Sequence, residues 1–243
     1  HAEQGPSADA VAPIPPGLPE PSETVPLGGI RKSIADHMRN SIASTAQLSF
    51  FLELDVSELQ SLRKEASSKG GTTIGLAHAL TKACAETLKR HPELNTVLSD
   101  GKVLYFDDVN IGIAVALKEG LIVPVVKQVD KKSLLQVRTK TNELATRARE
   151  GGLLPDDAAG GTFTISVLGI VDGFTPILNA GQSAILGVGR SVEKPVVQKG
   201  EVVVREMMTL SLTVDHQVID GAVAVGFLRR LQQAVERPAA LFK

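Results

Sequence analysis

From Val25 onward the apolar positions fall into short periodic runs whose spacing switches repeatedly between helical and extended. Ile30, Ile34, Met38 and Ile42 recur every fourth residue, one stripe of an amphipathic helix over 31–44. Residues 48–56 alternate as a strand does. Asp55 or Ser57 can then cap a helix that carries Leu59, Leu62 and Arg63 to a Gly70-Gly71 stop. Thr72 or Thr73 opens another helix, which ends before His91-Pro92 because proline disfavours helical geometry in the residue ahead of it. Three strands are predicted over 103–106, 110–117 and 121–126, the second alternating apolar with small residues as a strand buried on two sides would. Ser133 caps a helix to 150, stopped by Gly151-Gly152. Strands over 162–167, 183–188, 202–205 and 207–214 lead to a last helix over 222–235, with Val223, Phe227, Leu228 and Leu231 on one face. Helices and strands mix without strict alternation, which predicts an α+β (mixed α/β) fold, not a doubly wound nucleotide fold.

Residues 1–24 are different: Pro, Ala, Glu, Ser and Gly dominate and little could form a core. That composition describes a flexible linker ahead of a folded domain over 25–243. A linker at the start implies a segment upstream; an ordinary disordered N-terminus is the alternative. The 243 residues suit one large domain or two small ones. With 26 basic and 27 acidic residues the formal net charge is −1, so neither nucleic acid nor a membrane surface is an expected partner. The aromatic content of 3%, without Trp, leaves few residues for base stacking. No apolar run approaches the roughly 18 residues that span a bilayer. The single cysteine, Cys84, lies in an Ala-rich helical pattern and reads as a buried structural thiol in a reducing compartment.

Candidate chemistry gathers where the last strand ends, at Asp215-His216-Gln217-Val218-Ile219-Asp220-Gly221. The strand delivers a histidine into a polar turn, with Asp220 four positions on, a common way to hold a general base on a rigid element. A satisfied structural histidine fits the same pattern. The other four, His1, His37, His78 and His91, read as structural or solvated. No third ligand stands at a zinc-like spacing, so no metal is expected. No Gly-x-Ser-x-Gly elbow supplies a nucleophile. What remains is a base acting on a nucleophile that a substrate brings. A thiol is a sensible one, since its pKa of about 8.5 lies near that of imidazole. Ser166, at the end of a strand beside a glycine-bearing turn, can either donate to a developing oxyanion or bond its own turn backbone.

These residues resemble a known family. Asp215-His216-Gln217-Val218-Ile219-Asp220-Gly221 is similar to the Asp-His-Arg-x-x-Asp-Gly signature of the catalytic domain of dihydrolipoamide acyltransferases, the core of 2-oxo acid dehydrogenase complexes. Four further segments match in the family's order: the opening helix from Pro26-Leu27 to Met38, the 110–116 and 120–125 strand pair, 161–166, and Phe174-Thr175-Pro176-Ile177 with 184–189. The resemblance implies a chloramphenicol-acetyltransferase-like fold, a central mixed sheet flanked by helices. It implies homotrimers with active sites between subunits, built into hollow cubic or dodecahedral cores. It also explains the linker, because lipoyl domains and a subunit-binding domain precede this domain in the family. Decarboxylating dehydrogenase and dihydrolipoamide dehydrogenase components would be further partners. The implied compartment is the cytoplasm of a bacterium or the mitochondrial matrix of a eukaryote.

The implied reaction moves an acyl group from a dihydrolipoyl thiol, carried on a separate domain, to coenzyme A. His216 would be the general base and Ser166 the oxyanion donor from a neighbouring subunit. Asp220 would orient the site through an arginine, for which Arg63 is the candidate, with Gly221 and Gln217 in support. Gln217 departs from the signature's arginine and Val167 from a common Asn or Ser, and the 169–174 segment is short. Phe174-Thr175-Pro176-Ile177 and Ala46-Gln47-Leu48 lean towards acetyl as the acyl group. A free-standing acetyltransferase of the same fold and a catalytically impaired structural core subunit are the alternative readings.

Overall fold

The computed structural model describes residues 14–117 and 120–242. Residues 1–13 of the expected linker lie outside them, and 14–24 are exposed and form neither helix nor strand. The elements run α1 (Gly29–Ser44), β1 (Gln47–Asp55), α2 (Ser57–Gly70), α3 (Leu76–Leu88), β2 (Thr96–Ser99), β3 (Lys102–Tyr105), β4 (Ile111–Ile113), β5 (Val115–Leu117), β6 (Gly120–Ile122), β7 (Val125–Val126), α4 (Leu134–Arg149), β8 (Phe163–Val167), β9 (Ala184–Gln198), β10 (Glu201–Asp215) and α5 (Gly221–Glu236).

Local chemistry accounts for most boundaries. Ser133 Oγ accepts the Gln136 N–H while Gln136 Oε1 accepts the Ser133 N–H, a reciprocal cap for α4. Gly71, at φ 60°, closes α2 in the left-handed conformation that glycine adopts without strain. Asp100-Gly101 (φ 48° and 69°) and Lys199-Gly200 (φ 53° and 88°) make the two-residue turns of the β2–β3 and β9–β10 hairpins. The first of these turns was a readable signal for β2, which periodicity alone missed.

Three expectations are corrected. The strand over 110–117 divides into β4 and β5, and 121–126 into β6 and β7, because Pro124 has no N–H to continue a ladder. The helix foreseen from Thr72 begins at Leu76, since the Ile74 N–H is taken by Ser67 Oγ and the Thr73 carbonyl by Arg138 Nε. The strands over 202–205 and 207–214 are one, and β9 runs ten residues past 188. Glu206 sits inside β10 because Gln60 and Ser191 donate to its carboxylate and its N–H donates to Ser57 Oγ.

Six strands form a mixed sheet in the order β1-β10-β9-β8-β4-β7. Pairings are antiparallel except β9–β8 and β8–β4. One face carries Leu54, Leu210, Leu212, Leu186, Ile165 and Ile111 into the main core, against Leu59, Leu80, Cys84, Phe227 and Leu231 of the helices. Each such side chain contributes about 1.5–3 kcal/mol of burial. The other face is small and polar: Thr164, Gly187, Ser211, Thr213 and Asp215. It is buried all the same. The segment after β8 folds back over it and brings Phe174 and Pro176 within 3.2 Å of where a Cβ on Gly187 would stand. Helix α1 is the exception to good packing: Ser41 is its one buried residue, while Ile30 and Ile42 of the foreseen apolar stripe are exposed.

Two outcomes follow from burial. Cys84 is fully enclosed and burial pushes its thiol pKa far up, so a water-soluble disulfide reagent should leave it untouched until denaturant unfolds the chain. Labelling at the same rate with and without denaturant would contradict this. His78 Nδ1 accepts the Gly75 N–H at 3.0 Å, and its Nε2 meets Asn142 Oδ1 at 3.1 Å. Burial, with Arg138 adding to it, holds its pKa below the ordinary 6.5 against the opposing Asn142 bond. A histidine with a depressed pKa takes up protons on unfolding. Its contribution is therefore complete above pH 6.5 and lost as pH falls towards the folded value. The urea midpoint should drop between about pH 7.5 and pH 5, by less in His78→Gln than in the wild type. Equal drops would exclude His78 as the source.

Candidate active site

Strand β10 ends at Asp215, whose N–H donates to the Ser183 carbonyl. Its own carbonyl accepts the N–H groups of both Val218 and Ile219 at 2.9 Å, closing the turn that carries His216. Asp220 follows as the residue that starts α5, with extended backbone, and Gly221 is the first helical residue. The His216 N–H donates to the Ala46 carbonyl at 2.8 Å, so the turn is tied to the short link between α1 and β1. The imidazole is 44% exposed, and its Nδ1 lies 4.0 Å from the Asp220 carboxylate, itself 85% exposed. His216 is therefore a fixed backbone presenting an accessible ring, not a satisfied core histidine.

The residue beneath it is the better-held one. Asp215 is 1% exposed, and its carboxylate accepts from the N–H groups of Ala46 and Gln217, both at 3.0 Å, and from the Gln217 side-chain amide at 3.1 and 3.2 Å. That amide also donates to the Ser44 carbonyl at 2.9 Å. The composition of the motif flagged a lone base and its aspartate; it did not reveal this clamp.

Ser166 is partly exposed, and among the described residues its hydroxyl makes no hydrogen bond, so the bond to its own turn is not formed. The sheet register places it opposite Gly187, which stands opposite Ser211. His216 lies five residues beyond Ser211 and two strands away from Ser166. At about 3.3 Å per residue and 4.8 Å per strand the two are about 19 Å apart in one chain. One chain does not bring them together. The segment after Ser166 is pinned to β9: Leu168 N–H donates to Val188, Arg190 N–H to Val171, and the Arg190 guanidinium pairs with Asp172 at 2.6 Å. That pairing holds the Asp172 carboxyl below the usual range. Val167 offers no polar group here, as its identity already implied.

Within one chain Arg63 does not reach Asp220. Its guanidinium donates to Gln60 Oε1 and to the Ile74 carbonyl, and Gln60 in turn bonds Glu206. Helix α2 thus seats Arg63 near Glu206, nine residues or about 30 Å along β10 from Asp215. Asp220 receives no hydrogen bond from it.

A cavity of about 1060 Å³ opens between α1 and the sheet, walled by Ile34, His37, Met38, Gly112, Asn179 and Gln182. Gly112 lies in the same cross-strand row as Thr213, three strands away, or about 14 Å. The cavity is therefore at the end of the sheet where β10 delivers His216. Among the described residues no group of three or more His, Cys, Asp or Glu is placed to hold a metal ion. None of their helices is long and apolar enough to cross a membrane.

The architecture is that of the chloramphenicol-acetyltransferase-like class. Chloramphenicol acetyltransferase itself superposes with a TM-score of 0.53 over 89% of this chain and 96% of its own, at 17% identity. Within that class, the chain belongs to the 2-oxoacid dehydrogenases acyltransferase (catalytic domain) family, whose pattern matches residues 19–243. The match begins inside the stretch expected as linker. The acetyltransferase component of the Bacillus subtilis acetoin cleaving system is 38% identical over 90% of the chain and 57% of its own length. The mitochondrial succinyltransferase component of an Arabidopsis thaliana 2-oxoglutarate dehydrogenase complex is 40% identical over 89% and 48%. The chain thus spans about half the length of these curated relatives. Two solved structures fit with a TM-score of 0.87 at 37% identity, covering 96% of this chain and 100% of theirs. One is the cubic core of the pyruvate dehydrogenase multienzyme complex. The other is the Azotobacter vinelandii dihydrolipoamide acetyltransferase, studied for the catalytic roles of a serine, a histidine and an asparagine four positions after the histidine.

The tight seat of the segment after Ser166 can be tested directly. A Cβ on Gly189 would stand 2.1 Å from the Asp172 carbonyl oxygen, a backbone atom that cannot swing aside. Gly189→Ala should destabilise the fold by about 1–3 kcal/mol in urea titration. A variant as stable as the wild type would show that the segment does not rest on β9.

Proposed function

We propose that this chain is the acyltransferase core of a 2-oxo acid dehydrogenase complex, transferring an acyl group, acetyl by preference, from a dihydrolipoyl thioester to coenzyme A. One observation carries the reading. The chain presents an accessible histidine on a rigid turn and an unbonded serine hydroxyl about 19 Å away. Two half-sites so separated make sense when His216 of one copy meets Ser166 of another. The exposed Ile30 and Ile42 of α1, with Leu168, Ile170 and Val171 beside Ser166, supply apolar surface for such an assembly. A homotrimer built into a cubic core, like that of the pyruvate dehydrogenase structure it resembles, is the proposed setting. Lipoyl domains and the two dehydrogenase components are the proposed partners.

In this reading His216 accepts the proton of the coenzyme A thiol as the sulfur attacks the thioester carbonyl carbon. The carbonyl oxygen becomes an oxyanion, to which the Ser166 hydroxyl of the other copy donates. The oxyanion then collapses, the bond from carbon to the lipoyl sulfur breaks, and His216 returns its proton to that sulfur. Among the described residues of one chain no arginine pairs with Asp220, and His216 is the group it faces. At 4.0 Å in water a carboxylate stabilises an imidazolium by only about 1 kcal/mol. In the Azotobacter enzyme an asparagine stands four positions after the histidine, the spacing of Asp220 from His216.

His216→Ala should abolish transfer. Ser166→Ala should lower kcat by about 10²–10³, the usual worth of one oxyanion donor. Asp220→Asn should stay within about fivefold, the equivalent of 1 kcal/mol. Mixing the His216→Ala and Ser166→Ala chains before assembly should restore activity, because some interfaces then carry both intact groups. Mixed assemblies no more active than the separate variants would refute the shared site. Rates with acetyl, succinyl and branched-chain thioesters decide the acyl group, and a preference for succinyl would overturn acetyl.

A further inference from the structure

The acyl-transfer reading leaves Gln217 without a task, yet its side-chain amide makes three hydrogen-bond contacts. A carboxylate as buried as Asp215 is costly unless its oxygens are fully bonded. Here no Lys, Arg or His nitrogen among the described residues comes within 4.0 Å of it; every donor is a neutral N–H. One side-chain amide serves two ends. Its nitrogen donates to the Asp215 carboxylate and to the carbonyl of Ser44, the last residue of α1, which the helix itself leaves unpaired. His216 sits between Asp215 and Gln217, and its own N–H is held by Ala46. The histidine is thus fastened to the α1–β1 link from both sides. An arginine could make the same bonds but would set a cation beside a ring that must itself become cationic. Glutamine supplies the donors without the charge.

We propose that Gln217 is a positioning residue, which fixes the His216 ring by clamping Asp215 to the end of α1. The proposal rests on the acyl-transfer reading for its kinetic consequence but not for its geometry. The test uses the assembled protein and three substitutions. Gln217→Met keeps the length and removes the donors. Gln217→Arg restores donors. Gln217→Asn, too short to span from Asp215 to Ser44, stands in if the methionine variant fails to assemble. Gln217→Met, or its stand-in, should lower kcat about tenfold while the KM values for coenzyme A and the dihydrolipoamide thioester stay within about twofold. Gln217→Arg should remain within about threefold of wild type. Peptide-level mass spectrometry should show the His216 ring acylated by diethyl pyrocarbonate at least about threefold faster once the donors are lost, at an unchanged thermal midpoint. An unchanged kcat, a change confined to KM, or an arginine variant as impaired as the methionine one would each overturn the proposal. If the wild type transfers no acyl group, the labelling rate decides by itself. Faster labelling would uphold the clamp while the function falls, and an unchanged rate would remove the clamp.

Discussion

Everything in this fold hangs on the pairing of β9 with β10, two strands of fifteen residues each held in antiparallel register. It determines which side chains share a face. Leu186, Leu210, Leu212 and Val214 go to the helices, while Gly187, Ser211, Thr213 and Asp215 go to the other side. A slip of one residue would put Asp215 into the main core and expose the leucines. The same pairing determines distances. It carries Ser166 to one level of the sheet and His216 to another, so the two groups of the proposed reaction are separated by the stiffness of the sheet itself. No side-chain rearrangement within one chain spans that gap.

The polar face is the unusual part of the structure, because it is buried without being apolar. Thr164 Oγ1 bonds Gln182 and Asn179, Thr213 Oγ1 bonds Ser49, and Ser183 Oγ bonds Thr96. Asp215 collects four N–H contacts. Among the described residues, Ser211 Oγ is the hydroxyl of this face that is buried without a partner. A network so nearly complete rigidifies the end of β10 more than apolar packing would, since each bond has a direction as well as an energy. The proposed base is mounted on this end. The backbone on either side of the ring is thereby held in place.

Helix α1 sits loosely on this framework, yet its last turn touches both the framework and the His216 turn. Ser41 Oγ bonds the Leu178 carbonyl at 2.6 Å, and the Ser44 carbonyl takes the Gln217 amide. The rest of the helix walls the cavity and leaves Ile30 and Ile42 exposed. Such an element is anchored at one end and completed by whatever covers the other. That arrangement suits a domain whose site needs a second copy.

The periodicity of apolar residues was enough to place all five helices and most strands, because a period of 3.6 or 2 is written into neighbouring positions and needs no partner to be read. The strand–turn–helix that presents His216 was legible for the same reason, as were the Ser133 cap and the glycine stops. Where the sequence misled, the missing information was long-range. Glu206 broke the pattern of β10 until Gln60 and Ser191 were brought to it, and the packing of α2 placed Arg63 at the far end of that strand from the Asp220 of its own chain. Gln217 looked like a lost charge. Its meaning depends on Asp215 accepting from Ala46, a residue 169 positions away. Only the folded register brings those groups within 3 Å, and a one-dimensional pattern has no way to record a distance across a sheet.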